Sequence, residues 1–203
     1  MAALHERLVF DTERGAVLDG PRRYVLMRAD VLMGLFANLD GDARVAALDA
    51  FRRSVAEHGS DSVRVYREAV VRQALPALME AAAASLGWGR WRFDADDLAF
   101  SHLHADGDPA AARGLRLAVA DSPFAAAAPH GGVACHAIVG MLEAVGGALF
   151  DAPVEAHETH CAAQGGDAVC RFVATPRASA SPIVATSSHD TPARRHRFQG
   201  DPS

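Results

Sequence analysis

A strongly apolar stretch between Cys135 and Phe150, with the sequence CHAIVGMLEAVGGALF, constrains the fold more than any other part of the chain. It is shorter than the ~20 uninterrupted apolar residues of a membrane-spanning helix, so we expect a helix buried in the protein core. Three glycines lie inside it, namely Gly140, Gly146 and Gly147. Because glycine costs about 1 kcal/mol relative to alanine in a helix interior, these positions predict close packing against a neighbouring backbone.

The segments on both sides of this helix have the pattern of β-strands. GLRLAVAD, from Gly114 to Asp121, predicts one strand. VEAHETHCAA and AVCRFVAT predict a hairpin around the glycine-containing turn Gln164–Asp167. Bulky and polar residues alternate in WGRWRFDADDLAFSHLHAD, which is also typical of strands.

The N-terminal part of the chain predicts short strands followed by helices. Asp19, Gly20 and Pro21 indicate a turn between two strands of a hairpin. Three helices are predicted, over residues 28–38, 42–58 and 62–86. The predicted break after the second is Gly59-Ser60-Asp61, and Pro76 is expected to kink or split the third.

Length and composition favour one domain with a tail. The chain has 203 residues, so we expect a single domain over residues 1–176, with N-terminal hairpin and helices in 1–87 and a core region in 88–176. Residues 177–203 are rich in Ser, Thr, Pro, Arg and His, which predicts a disordered tail.

The charged residues exclude several classes of function. The formal net charge is -5 and there is no dense basic stripe, which argues against nucleic acid as a main partner. All 20 cationic Lys and Arg positions are Arg, so Schiff-base and P-loop lysine chemistry are excluded. His5, Glu6 and Arg7 interrupt the N-terminus before an apolar signal-peptide core. We therefore expect a cytoplasmic protein with no membrane segment.

The cysteines form a compact group in the sequence. There are three, an odd number, and all lie between Cys135 and Cys170. A disulfide framework requires an even and more widely distributed set, so the grouping favours a metal site in a reducing compartment. The alternative is that three small cysteines fill an apolar core, because no C-x-x-C spacing is present.

The C-terminal half resembles the 4-vinyl-reductase domain family. The resemblance rests on GLRLAVADSPFA with its Asp-Ser-Pro-Phe turn, on a cysteine that opens the glycine-bearing helix, and on VEAHETHCAAQGGDAVCRF with E-x-x-C, a glycine-rich turn and C-x-F. That domain occurs in a bacteriochlorophyll-biosynthesis protein and in the sensor domains of xylene- and phenol-responsive transcription regulators. The motifs cover about a third of the chain.

The resemblance implies a structural zinc ion, because sensor members of the family hold zinc with three cysteines and one glutamate. The implied ligands in this sequence are Cys135, Glu158, Cys161 and Cys170. Thiolates with one carboxylate suit tetrahedral zinc, and a set of four protein ligands favours a structural role. The formal charge of minus two needs compensation, for which Arg171 and the helix start at Cys135 are the candidates.

Two features of the implied zinc site stay open. Strict strand alternation places Glu158 and Cys161 on opposite faces, so a turn or bulge is required between them. His136, His157 and His160 lie beside the cysteines and are alternative ligands to Glu158.

The resemblance also implies an α+β fold shared with heme nitric-oxide-binding domains and vesicle-tethering subunits. In this fold helices pack on a small antiparallel sheet, the protein is usually a homodimer, and a buried pocket holds a small apolar molecule. The candidate pocket residues are aromatic side chains with two polar histidines, namely Trp88, Trp91, Phe93, Phe100, His102 and His104. The alternative for the aromatic residues is an ordinary core.

The function that follows is a zinc-containing binding module for a small hydrophobic or aromatic molecule, as a sensor or a carrier. One alternative is an enzyme or accessory protein for 8-vinyl reduction in bacteriochlorophyll biosynthesis. Such a reduction requires a hydride or electron source, and the sequence has no dinucleotide-binding motif, P-loop or iron–sulfur cysteine set, so we favour binding over catalysis. A second alternative is a protein–protein assembly module, for which an apolar surface patch is expected.

Overall fold

The computed structural model describes residues 4–94, 114–128 and 132–177, and these form helices packed on antiparallel sheets. The helices are α1 Leu4–Arg7, α2 Ala29–Ala37, α3 Gly41–Ala69, α4 Leu75–Ser85, α5 Pro123–Ala126 and α6 His136–Phe150. The strands are β1 Val9–Asp11, β2 Ala16–Asp19, β3 Arg22–Tyr24, β4 Arg90–Phe93, β5 Leu115–Ala120, β6 Val154–His160 and β7 Val169–Pro176. Short 3-10 turns cover Arg72–Ala74 and Ala162–Gln164. The predicted α+β class is confirmed.

The strands form two separate antiparallel sheets. The first has the order β1-β2-β3, and the second has the order β4-β5-β7-β6. In the second sheet β6 and β7 are the predicted hairpin, and β5 pairs with β7 in the register Val119 opposite Cys170. Alternation decides which side chains enter the core: Trp91 and Phe93 are buried, whereas Arg90 and Arg92 between them are exposed.

Helix α6 is the predicted buried helix, and its glycines explain how closely it approaches α3. A Cβ atom added to Gly140 would lie 2.2 Å from the carbonyl oxygen of Arg52 in α3, a distance that no side chain tolerates. A Cβ at Gly146 would lie 3.0 Å from a methyl group of Val154. The two helices are further joined by the ion pair between Arg52 and Glu143, with 2.6 Å between Nη1 and Oε1.

The predicted helix break at Gly59-Ser60-Asp61 is wrong. Helix α3 continues from Gly41 through these residues to Ala69, and the chain turns only at Arg72–Ala74. Gly59 lies against α6, since a Cβ there would lie 3.1 Å from Cε of Met141, which would have to shift by a few tenths of an ångström. The helix predicted over 62–86 is split, because α3 ends at Ala69 and α4 begins at Leu75. Pro76 lies in the first turn of α4, where no helical hydrogen bond from its nitrogen is required, so it starts the second helix and does not kink a continuous one.

The hydrophobic core is continuous across both parts of the chain. It includes Met33 and Phe36 of α2, Val63 of α3, the inner faces of β4, β5 and β7, and the three fully buried cysteines. In the described ranges, no helix is both long and apolar enough to cross a bilayer. The predicted tail beyond residue 177 lies outside the described residues.

Candidate metal centre and ligand cavity

The structure brings the four implied metal ligands together. One ligand atom each of Cys135, Glu158, Cys161 and Cys170 lies within 4.8 Å of the others. The three thiols are fully buried and Glu158 is half-buried. The Sγ atoms of Cys135 and Cys170 are 3.7 Å apart, close to the separation of about 3.8 Å between two sulfur ligands of a tetrahedral zinc ion.

Three elements supply these side chains. Cys135 is the residue immediately before α6, Glu158 lies near the end of β6, and Cys170 lies in β7. Cys161 follows β6 and precedes the 3-10 turn Ala162–Gln164. The pairing of β6 with β7 shifts register between Glu158 and His160, so the chain has the irregularity that strand alternation required.

Backbone and hydroxyl groups surround the sulfur atoms. The N–H of Ala162 donates to Sγ of Cys170 at 3.3 Å, and Oγ of Ser122 lies 3.3 Å from Sγ of Cys135. Such donors compensate the negative charge of thiolates. Arg171, expected as a compensating cation, instead pairs with Asp167 at 2.7 Å on the exposed face of β7.

Glu158 provides an independent test of whether the cluster fits a cation. Its Oε2 accepts a hydrogen bond from the N–H of Cys135 at 3.2 Å, whereas the buried Oε1 has no hydrogen-bond partner among the residues that the structure describes. A buried carboxylate oxygen without a partner is costly, and a metal ion would satisfy it. The donor set and this oxygen therefore fit a divalent cation that prefers thiolate ligands.

The electrostatics of the cluster agree with that fit. Burial, together with the hydrogen bond and charge of Cys161, raises the pKa of Glu158 to about 7. Hydrogen bonds from Cys135 and Cys170 lower the pKa of Cys161 and favour its thiolate. The same interactions, with Cys161 as acceptor, raise the pKa of Cys135. The four ionisable groups therefore interact strongly with one another, and Cys161 is the one whose ionised form is favoured.

The histidines beside the cysteines are not part of the group. Among the described residues, the metal-capable set consists of the three cysteines and Glu158, without His136, His157 or His160. Nε2 of His160 lies 3.4 Å from the carbonyl oxygen of Asp167. The geometry therefore favours Glu158 as the fourth ligand.

A cavity of about 290 Å³ lies between α3, α4, α6 and the N-terminal segment. Its wall is mainly apolar, with Val55, Met79, Leu86, Trp88, Trp91 and Met141. Polar side chains line one side, namely Tyr24, Ser54, His58, Ser62 and Tyr66. An apolar wall with a few polar groups is typical of a small-molecule site, and the volume suits a molecule with one ring.

Only part of the predicted pocket lining is found in this cavity. Trp88 and Trp91 line it, whereas Phe93 lies in the core with its ring centroid 6.2 Å from that of Trp91. Phe100, His102 and His104 lie outside the described residues.

The polar residues that α3 contributes to the cavity are not among those predicted from the sequence. Ser54, His58, Ser62 and Tyr66 are spaced by four residues, so they share one face of α3. This spacing was a usable signal, but the wrongly predicted break at Gly59 divided the stripe between two helices.

The Asp-Ser-Pro-Phe motif lies between the cavity and the cysteine cluster. Ser122 caps α5 by accepting a hydrogen bond from the N–H of Ala125 at 3.4 Å, and it also contacts Cys135. Phe124 is buried with its ring edge-on to Trp88, at a centroid distance of 5.4 Å. One short turn therefore contacts both sites.

These features define a mixed α+β domain with a buried cysteine–glutamate cluster next to an apolar cavity. Residues 115–176 match the family model of the 4-vinyl-reductase domain. The match confirms, for this part of the chain, the resemblance that the sequence motifs indicated.

Two solved structures match this chain in a structural comparison. The phenol-responsive sensory domain of the transcription activator PoxR, solved with phenol, has 18% identity and a TM-score of 0.66, and the match covers 85% of this chain and 86% of that chain. A vinyl-4-reductase family protein from Methanocaldococcus jannaschii has 13% identity and a TM-score of 0.41, with 73% and 90% covered. A search among curated proteins found no match.

Proposed function

We propose that this protein is a binding module for a small hydrophobic or aromatic molecule, acting as a sensor or a carrier, with a structural zinc ion. The main observation behind the proposal is the cavity of about 290 Å³, which has an apolar wall and a few polar side chains in its lining. The fold similarity to the PoxR sensory domain supports it, because that protein was solved with phenol.

In this proposal the ligand lies against Trp88 and Trp91, with Met79 and Met141 closing the apolar wall. Aromatic side chains offer large contact areas, and methionines adapt to ligand shape. The residues of α3 provide the polar contacts that orient the molecule.

The proposed zinc ion is held by Cys135, Glu158, Cys161 and Cys170. When bound, it supplies a four-coordinate cross-link and no open coordination position. The protein residues then hold the start of α6 against the β6–β7 hairpin. Since α6 also carries Met141, this anchoring positions one wall of the cavity.

We also propose that the protein is a homodimer. Several large apolar side chains before and in α2 are exposed: Val25 by 79%, Leu26 by 70%, Val31 by 57% and Leu35 by 60%. Val31 and Leu35 are one helical turn apart, so they share a face that a second copy would cover. The same surface supports the alternative of an assembly module.

The oligomeric state is measured by light scattering after gel filtration. We expect twice the chain mass of 21.4 kDa for the wild type and a monomer for Val31→Glu. Val71→Glu is the matched control, because Val71 is 69% exposed in the linker before α4. A monomeric wild type would contradict the dimer.

The binding proposal is tested by tryptophan fluorescence. Both tryptophans of the chain line the cavity, so a ligand there should quench their emission in a saturable way. Phenol and toluene are the first probes, and a chlorophyll-type tetrapyrrole tests the vinyl-reduction alternative. Saturable quenching by phenol or toluene supports the proposal, whereas stoichiometric binding of the tetrapyrrole alone favours the alternative. No saturable quenching by any probe overturns the binding function.

A further inference from the structure

The hydroxyl of Tyr66 is held in one orientation by a charged network from the N-terminal segment. Nη2 of Arg7 donates to Oδ2 of Asp19 at 2.8 Å and to the hydroxyl oxygen of Tyr66 at 3.1 Å. Nε of Arg7 also donates to Oδ1 of Asp19 at 3.2 Å. The guanidinium carbon of Arg7 lies 5.3 Å from the centre of the Tyr66 ring, so the two side chains also stack.

The hydrogen bond between Arg7 and Tyr66 has only one possible direction. A guanidinium has hydrogen-bond donors only, so the Tyr66 oxygen must be the acceptor of the Arg7 hydrogen bond. The Tyr66 hydrogen is then available for a different acceptor. Tyr66 is only 5% exposed, and among the hydrogen bonds of the described residues it takes part solely as an acceptor from Arg7.

The surroundings favour an electron-rich partner for this hydrogen. Arg7 and Arg22 both lie beside Asp19, so two positive charges and one negative charge surround the two tyrosines that line the cavity. The neighbouring Tyr24 also lines the cavity and carries another neutral hydroxyl. A ligand atom with partial or full negative charge is stabilised there, whereas a ligand that offers only an N–H donor is not.

We propose that Tyr66, positioned by Arg7 and Asp19, donates a hydrogen bond to the ligand and selects small apolar molecules that carry an acceptor oxygen. This inference rests on the proposed binding function and specifies the ligand class of the same cavity. Arg7 is a positioning residue, because it acts on the ligand through the Tyr66 hydroxyl. The N-terminal segment thereby contributes to ligand specificity, because Arg7 and Asp19 orient the Tyr66 hydroxyl.

The test compares two ligands of nearly equal size, anisole and ethylbenzene. Anisole has an ether oxygen that accepts a hydrogen bond, and ethylbenzene has a methylene group in its place. Their dissociation constants are measured by tryptophan quenching in the wild type and in Tyr66→Phe. Ser60→Ala is the matched control, since it removes a hydroxyl of the same helix α3 from an exposed position outside the lining of this cavity.

We expect the ratio of the ethylbenzene constant to the anisole constant to fall about fivefold in Tyr66→Phe. Ethylbenzene affinity itself should stay unchanged, and Ser60→Ala should keep the wild-type ratio. A merely structural role of Tyr66 would weaken both ligands equally and leave the ratio constant, which overturns the inference. If a water molecule takes the Tyr66 hydrogen in the complex, the ratio is also unchanged and the inference fails.

A second test compares the affinities of the wild-type protein for the two ligands and needs no variant. Anisole is less apolar than ethylbenzene, so without a hydrogen bond it binds more weakly to the cavity. Tighter binding of anisole supports the donor role, and tighter binding of ethylbenzene contradicts it. Absence of quenching by both ligands would instead overturn the binding function, so the two failures are distinguishable.

Discussion

The backbone N–H of Cys135 donates to Oε2 of Glu158 at 3.2 Å, while Oε1 of the same carboxyl is buried and accepts no hydrogen bond from any part of the chain in the described ranges. One oxygen therefore holds the side chain in place at the start of α6, and the other is free to bind a cation. In the proposed zinc site the carboxyl is thus divided between a positioning contact and a ligand contact. Three cysteines that only fill an apolar core would leave the burial of this oxygen without a physical reason.

Glu158→Gln should lower zinc affinity at least about tenfold, because it replaces an anionic ligand oxygen with a neutral amide. The affinity is measured by competition with a chromophoric chelator. Glu155→Gln is the matched control on the same strand, where Glu155 is exposed and lies outside the metal-capable group. Equal zinc affinities of the wild type and Glu158→Gln would rule out Glu158 as a ligand.

Cys161→Ser should lower thermal stability by removing a metal ligand, since metal binding and folding are coupled. For a chain of this length, loss of a tightly bound ion corresponds to a fall of about 10 °C in Tm. Calorimetry with and without a chelator checks this. The wild type should lose the same amount on chelation and regain it with zinc, whereas the variant should respond to neither. Equal Tm values for both proteins under both conditions would show that the cysteines are core residues.

Gly140→Ala should destabilise the protein by about 3 kcal/mol, because its Cβ would lie 2.2 Å from the carbonyl oxygen of Arg52 and force α3 away from α6. Gly147→Ala is the matched control in the same helix. The nearest atom to a Cβ at Gly147 is the Ala152 carbonyl oxygen at 3.7 Å, so the gain of about 1 kcal/mol in helix propensity should prevail. Urea unfolding measures the free energy of unfolding, which should fall in Gly140→Ala and rise in Gly147→Ala. Equal effects of the two substitutions would contradict the close approach at Gly140.

The C-terminal half was largely predictable because its signals are local. The glycine-bearing helix, the β6–β7 hairpin and the need for an irregularity after Glu158 follow from alternation and composition. The ligand set itself came from the family resemblance, since the spacing of Cys135 and Cys170 does not define a metal site.

The N-terminal half was less predictable because tertiary contacts decide it. Gly59, Ser60 and Asp61 favour a helix break locally, yet Gly59 packs closely against Met141 of α6. Ser60 donates from its hydroxyl to the carbonyl oxygen of Ala56 within the helix. The partnership of Arg7 with Tyr66 joins residues far apart in sequence, and no local pattern indicates it.

Ser62→Leu should block the cavity without unfolding the protein. Ser62 is half-buried on the cavity side of α3, so a leucine there occupies ligand space and adds apolar contacts to Met79 and Trp88 across the cavity. Phenol affinity, measured by tryptophan quenching, should fall at least about tenfold, while Tm stays equal or rises. Ser60→Leu is the matched control, because Ser60 is exposed on another face of the same helix and should leave phenol affinity unchanged. Unchanged affinity in Ser62→Leu would place the phenol site outside this cavity, and a loss in both variants would indicate a general effect on α3.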